Sequence, residues 1–237
     1  MIDLRLGDCL YVMKTIPSGS IDAIITDPPY GTTACKWDSV IDFELMWEQL
    51  NRIIKPNGAI VLFSKQPFTS ALNYSNIKNF KQELIWQKDN VDNSMQAKKR
   101  FLNTIENISI FYIKPPTYNP QGLVDCVITK TQDSGSLVNA NGINKSKKYT
   151  QSKTNYPKNI LKFNIERTKN RKHPTQKPVA LMEYLIKTYT NENEIVLDFT
   201  MGSGSTMVAC QNTNRKGIGI EQDEKYFDIA EQRIFNS

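Results

Sequence analysis

The chain has 237 residues, enough for one well-cored domain and little beyond it, and its 39% hydrophobic and 23% charged residues contain no apolar run long enough to cross a membrane. Four scattered cysteines (Cys9, Cys35, Cys126, Cys210) without a C-x-x-C pair, and a single histidine, His173, argue against a disulfide framework, a zinc site and most Ser-His chemistry. The net charge of +6 is uneven: from Lys145 to Lys172 there are ten Lys/Arg against one acid, Glu166, so that window is +9 and the remainder −3, which suggests a polyanion partner or, on the blander view, a solvated lysine-rich loop.

Leu4-Arg-Leu6 is a short strand, preceded by no signal-peptide pattern, so a reducing cytoplasm is expected. Gly7-Asp8-Cys9 follows, where Asp8 suits a helix N-cap. Ile21 to Thr26 is an apolar strand that Asp27-Pro28-Pro29 must stop. Phe43, Trp47, Leu50 and Ile54 recur at helical spacing until Lys55-Pro-Asn-Gly58, and Ala59 to Phe63 is a buried strand. Glu83–Trp86 and Ile108–Ile113 predict two more strands. Between them Lys98-Lys99-Arg100 is a basic cluster, either beside nucleic acid or on a solvated helix face. Pro115 to Arg171 is rich in Asn, Thr, Ser, Gly and Lys and has no sustained apolar period; it reads as an insertion within a single domain spanning 1–237. A helix from Val179 carries Met182, Leu185, Ile186 and Tyr189 on one face. Ile195–Leu197, a glycine turn and Thr206–Gln211 form strand, turn and helix, followed by a strand at Lys216–Ile220 and a helix carrying Phe227, Ala230 and Ile234. This alternation predicts an α/β fold with a mostly parallel sheet and helices on both faces.

Two segments carry chemistry. In Asp198-Phe199-Thr-Met-Gly202-Ser-Gly204-Ser205-Thr206 an acid at a strand end precedes two glycines and a helix start, so a ligand can lie against bare backbone and place an anionic group at the helix N-terminus. The third glycine of a dinucleotide fingerprint would fall at Met207, which disfavours a nicotinamide cofactor. Glu221, at the end of the next strand, is placed to accept hydrogen bonds from a ribose diol. In Asp27-Pro28-Pro29-Tyr30 the prolines remove two N–H donors, leaving the Asp27 carboxylate and Pro28 carbonyl as acceptors for an amino group and Tyr30 as a stacking surface for a planar base.

Asp27-Pro-Pro-Tyr30 resembles the catalytic D-P-P-Y motif of amino-group DNA methyltransferases, and Asp198 to Ser205 resembles their cofactor motif. His173-Pro-Thr175-Gln-Lys177-Pro178 is similar to their H-x-T-x-K-P motif, and the order of the three resembles the β group. The resemblance implies a Rossmann-like methyltransferase fold, S-adenosylmethionine as donor and transfer to the amino nitrogen of a flipped base in duplex DNA. It implies that Asp198, Phe199, Gly202, Gly204 and Ser205 line the cofactor, with Glu221 on its ribose, Thr175 and Lys177 toward its methionine end, and Asp8 and Cys9 toward its adenine. Asp27, Pro28, Pro29 and Tyr30 would be the catalytic set, with Asp27 also bordering the cofactor and no metal required.

The insertion at 115–171 takes the place of the family's target-recognition region and is short, so recognition is brief or shared with a second copy of the chain. A cognate restriction endonuclease is a further partner that the resemblance leaves open. The initial Asp favours N6-adenine; N4-cytosine, an RNA amino group, or a nucleic-acid-binding module without catalysis are the alternatives.

Overall fold

The computed structural model describes residues 1–31, 39–132, 147–166 and 176–235; Cys35, Lys145, His173 and Thr175 lie outside them. The main unit, Met1–Asn119 with Asn159–Ser237, is an eight-stranded sheet in the order β1-β10-β9-β2-β3-β5-β4-β8. Its strands are β1 (Ile2–Leu6), β2 (Ile21–Thr26), β3 (Ile54–Ser64), β4 (Phe80–Gln87), β5 (Ile105–Phe111), β8 (Ile160–Lys162), β9 (Ile195–Asp198) and β10 (Lys216–Glu221). All neighbours pair in parallel except β3–β5 and β4–β5. The single reversed strand restores the direction of β4, so β4 ends on the same edge as β2, β9 and β10.

Side chains alternate along the strands, and the two faces take different helices. Ala23, Ile25, Val61, Phe63, Trp86, Ile108 and Ile110 pack against α4 (Val179–Tyr189), α5 (Ser205–Asn212) and α6 (Glu224–Phe235). Ile24, Ile60, Leu62, Phe111 and Leu197 pack against α1 (Cys9–Met13), α2 (Phe43–Ile53) and α3 (Phe68–Ser75). The α2 stripe buries Met46, Trp47, Leu50 and Ile53, each contributing about 2 kcal/mol by removal from water. No helix of the described residues is long and apolar enough to cross a membrane.

Three differences from the sequence reading bear on how the sheet is built. The helix ends at Ile53, before Lys55–Gly58 as expected, but that segment already belongs to the sheet: β3 begins at Ile54, which pairs with Ile21, and pairing resumes at Ala23–Ala59 after a bulge. Gly58 is required there, since a Cβ would stand 2.8 Å from the Asp22 carbonyl oxygen. Strand β5 runs from Ile105 to Phe111, earlier than Ile108–Ile113, because the polar Glu106 and Asn107 belong to it. Ile160–Lys162, within the segment read as insertion, is a strand of the main sheet beside β4. The second unit, Pro120–Lys158, is an antiparallel pair of β6 (Val124–Gln132) and β7 (Lys147–Thr154).

Candidate active site

The ends of β1, β2, β9 and β10 on one sheet edge bring Asp8, Asp27, Asp198 and Glu221 to a single cavity of about 670 Å³. It is lined also by Cys9, Pro28, Pro29, Tyr30, Lys177, Phe199, Gly202 and Ser205. Twelve of the fourteen site residues expected from the sequence thus share one wall-to-wall space, of the size usual for a small-molecule ligand. Gly204 is not among the lining; a Cβ there would stand 3.1 Å from the Ala230 Cβ and Ile234 Cδ1, so its smallness serves the packing of α6. Thr175 lies outside the described residues.

The Asp27 carboxylate stands just past β2, where the prolines end the strand. One oxygen accepts from the Lys177 ammonium and the other from the Tyr30 hydroxyl, while its carbonyl accepts from Thr200 Oγ1 at 3.0 Å. Burial pushes this carboxyl above the usual range, opposed by the Lys177 charge and reinforced by that of Glu106. Burial also works against the Lys177 ammonium, but Asp27 and Glu106 together hold its pKa above the ordinary value. The Tyr30 ring packs against Phe68 with centroids 5.2 Å apart.

Behind Asp27 runs an alternation of charge that the sequence reading missed. Lys177 Nζ is 3.3 Å from Glu106 Oε2, Lys88 Nζ bridges Glu106 Oε1 at 3.0 Å to Asp92 at 2.5 Å, and Lys65 reaches Asp92 at 2.8 Å. Lys88 and Lys177 are buried, so the pairs they make are screened by salt much less than a surface pair. Glu106 shares its sheet face with Ile108 and Ile110, an acid in phase with an apolar row, and that was the signal available.

At the end of β9, Asp198 accepts from the Thr26 and Thr206 hydroxyls and from the Thr200 N–H at 3.2 Å. Glu221 accepts from the backbone N–H groups of Gly202, Gln222 and Asp223, each at 2.9 Å. Those three bonds fix the carboxylate and leave it an acceptor site for a hydroxyl, since a carboxylate offers about four. The Gly202 N–H is delivered at φ 52°, a left-handed conformation that glycine adopts without strain. This donor and acceptor set suits a ribose and a close-lying adenosine-type cofactor. Asp8 caps α1, accepting from the Leu10 and Tyr11 N–H groups at 2.8 and 3.4 Å, and also borders the cavity. Burial pushes the Cys9 thiol up to about 12, so it is no nucleophile at neutral pH. Glu166, the one acid of the basic window, accepts from Gln176 and from the Val179 N–H at the start of α4, tying the segment before Lys177 in place.

Burial pushes the Asp198 carboxyl up to about 6 from 3.8, against the hydrogen bonds donated by Thr206, Thr26 and Thr200. A carboxyl raised on folding contributes its stability in full below the unfolded value, and the contribution falls as pH rises from about 4 to 6, where only the folded chain holds the proton. The displacement corresponds to about 3 kcal/mol. The ligand-free protein should therefore lose stability over this window relative to Asp198→Asn, which does not titrate. Chemical unfolding at several pH values checks this, and a difference that does not vary with pH would mean that Asp198 is ionised throughout.

The profile of a family described as DNA methylase matches residues 21–232. The chain is 31% identical to the type II methyltransferase M.HpaI of Haemophilus parainfluenzae, covering 98% of this chain and 74% of that protein. It is 30% identical to the DNA adenine methyltransferase YhdJ of Escherichia coli, covering 96% and 81%. Its fold is similar to that of M1.HpyAVI in complex with S-adenosylmethionine, with a TM-score of 0.68, 28% identity and coverage of 99% of this chain and 100% of the other.

Proposed function

Since this chain belongs to the DNA methylase family and uses S-adenosylmethionine, we propose that it methylates the N6 amino group of adenine at a specific sequence in duplex DNA. The observation that carries this reading is the Asp27 carboxylate, set on the same cavity as the Asp198 and Glu221 acceptors. Adenine follows from the initial Asp of the motif, a stronger acceptor for an amino proton than a serine hydroxyl, and YhdJ is by name an adenine enzyme. Bound in this cavity, S-adenosylmethionine supplies an activated sulfonium methyl group.

The protein's own part is placement. Asp27 and the Pro28 carbonyl would accept hydrogen bonds from the two N–H groups of the amino group and so fix the direction of its nitrogen lone pair, and Tyr30 would present its ring to the base. Lys177 and the Tyr30 hydroxyl hold the Asp27 carboxylate in one orientation before substrate arrives. Orientation of this kind accounts for many orders of magnitude in rate when the electrophile is already activated. Phe199, Gly202, Ser205, Asp8 and Cys9 shape the cofactor's part of the cavity. Digestion of methylated DNA followed by mass spectrometry tests the product: N6-methyladenine is expected, and N4-methylcytosine alone would reject the assignment.

The chain reads as a single methyltransferase domain in which the region from about 115 to 171 recognises the target, with a second copy or a cognate endonuclease as further partners in the cytoplasm. The charge of its basic stretch supports an approach to the DNA backbone. Replacing Lys145, Lys147 and Lys148 by Gln should weaken binding to all sequences alike and flatten the salt dependence by about one logarithmic unit for each phosphate no longer neutralised. Fluorescence anisotropy across a salt series measures this; an unchanged slope would make the stretch a solvated loop.

A further inference from the structure

The connection between β4 and β5 is anchored as firmly as a regular element, yet it holds apolar side chains out in water. The Lys88 N–H donates to the Thr104 carbonyl at 2.8 Å and the Asp92 N–H to the Asn103 carbonyl at 3.1 Å. Asn93 then clamps the tip, accepting from the Asn103 N–H at 2.7 Å and donating to the Phe101 carbonyl at 3.1 Å. The Asp92 carboxylate holds Lys65 and Lys88. On this frame Met95 is 99% and Phe101 98% exposed. Lys98, Lys99 and Arg100, all exposed, lie between them, and no acid occurs from Asn93 to Ile105. A solvated helix face, one of the two expectations for this cluster, does not form; Ser94–Gln96 makes a short turn and the chain returns extended to β5.

The base of the loop is the rim of the catalytic cavity, for Lys88, Asn90 and Asp92 line the space that holds Asp27. A single exposed apolar residue needs no explanation, but two nearly fully exposed ones on a pinned loop, flanked by three cations beside an active site, mark an interaction surface. A protein or lipid surface would account for the apolar pair, whereas a polyanion with flat apolar faces between its charges accounts for both. Duplex DNA has that chemistry, and apolar wedges flanked by basic side chains open base steps in other DNA-binding proteins.

We propose that the loop 88–104 opens the DNA helix for this enzyme: Lys98, Lys99 and Arg100 seat on phosphates, and Phe101, with Met95 beside it, enters the base stack where the target base leaves it. The proposal rests on the reading of the chain as a methyltransferase of duplex DNA. Phe101 acts here as a positioning residue, filling the gap so that the extruded base stays in the cavity.

The test compares two duplexes carrying the enzyme's recognition sequence, first found by methylation sequencing: one fully paired and one with a mismatch opposite the target base. A mismatched base is already partly released, so it needs the wedge less. Phe101→Ala, alone and with Met95→Ala, should lower kcat/KM on the paired duplex by about tenfold or more and on the mismatched one by less than about threefold, with S-adenosylmethionine affinity unchanged. Replacing Lys98, Lys99 and Arg100 by Gln should instead weaken both duplexes alike and flatten the salt dependence by about two to three units. Equal losses on both duplexes, or no loss on either, would overturn the wedge; a loss of self-association in sedimentation by the Phe101 variant would assign the surface to a second copy of the chain. A wild-type enzyme that methylates no duplex would overturn the methyltransferase reading with it, and that result is seen before any variant is made.

Discussion

Asp27→Ala should lower methyl transfer by about three orders of magnitude or more while S-adenosylmethionine affinity stays within about tenfold. The carboxylate is the only charged acceptor in the D-P-P-Y segment, and without it the amino group is free to rotate out of line. Its removal also leaves the buried Lys177 with Glu106 as its one remaining partner among the bonds described above, so Asp27→Asn, which keeps the shape and one acceptor oxygen, is the better-folded companion. Single-turnover transfer and calorimetry on both variants separate the effects. A residual rate within about tenfold of wild type would remove Asp27 from the reaction.

Gly202→Val should do the opposite, weakening S-adenosylmethionine by about a hundredfold or more. The position has φ 52°, its N–H donates to Glu221 at 2.9 Å, and it borders the cavity. A branched side chain is strained in that conformation and would occupy the space where a ligand meets backbone. Gly204→Ala is the contrast: it crowds Ala230 and Ile234 and should lower Tm by several degrees, with affinity changed by less than about threefold. Calorimetry with thermal denaturation resolves the pair, and unchanged affinity in a folded Gly202→Val protein would displace the cofactor site.

The parts of this molecule that were legible in its sequence are those in which one short segment carries its own reason. Asp27-Pro-Pro-Tyr30 and Asp198 to Ser205 are contiguous, and strand ends place them predictably, so their meeting followed from the fold class. The helix at Val179 was readable because Met182, Leu185, Ile186 and Tyr189 repeat at helical spacing, and all four are buried. Glu106 was not, because its meaning lies in Lys88, brought near by the pairing of β4 with β5, and in Lys177, carried in on the segment before α4. Lys55–Gly58 was rightly read as the end of a helix, but its place in a bulge was not legible, because Pro-Asn-Gly is turn chemistry wherever it occurs and only the partner strand decides that it is a bulge. Gly204 shows the same limit in another form: a motif names the residue, while its neighbours on α6 decide what the missing side chain is for.

The sheet is narrowest in the middle. Only two residue pairs, Ala23–Val196 and Ile24–Leu197, join β2 to β9, and beyond them the junction is continued by side chains, Thr26 on Asp198 and on Thr200, and Thr200 on the Asp27 carbonyl. The strands that end in Asp27 and in Asp198 therefore share only a short run of backbone pairing, and both residues line the cavity at its end. A ligand present at about a hundredfold its Kd adds about 2.7 kcal/mol to the folded state. A ligand touching both Asp27 and Asp198 would couple that free energy to the pairing of β2 with β9, so occupancy would act as mortar between the two halves of the sheet.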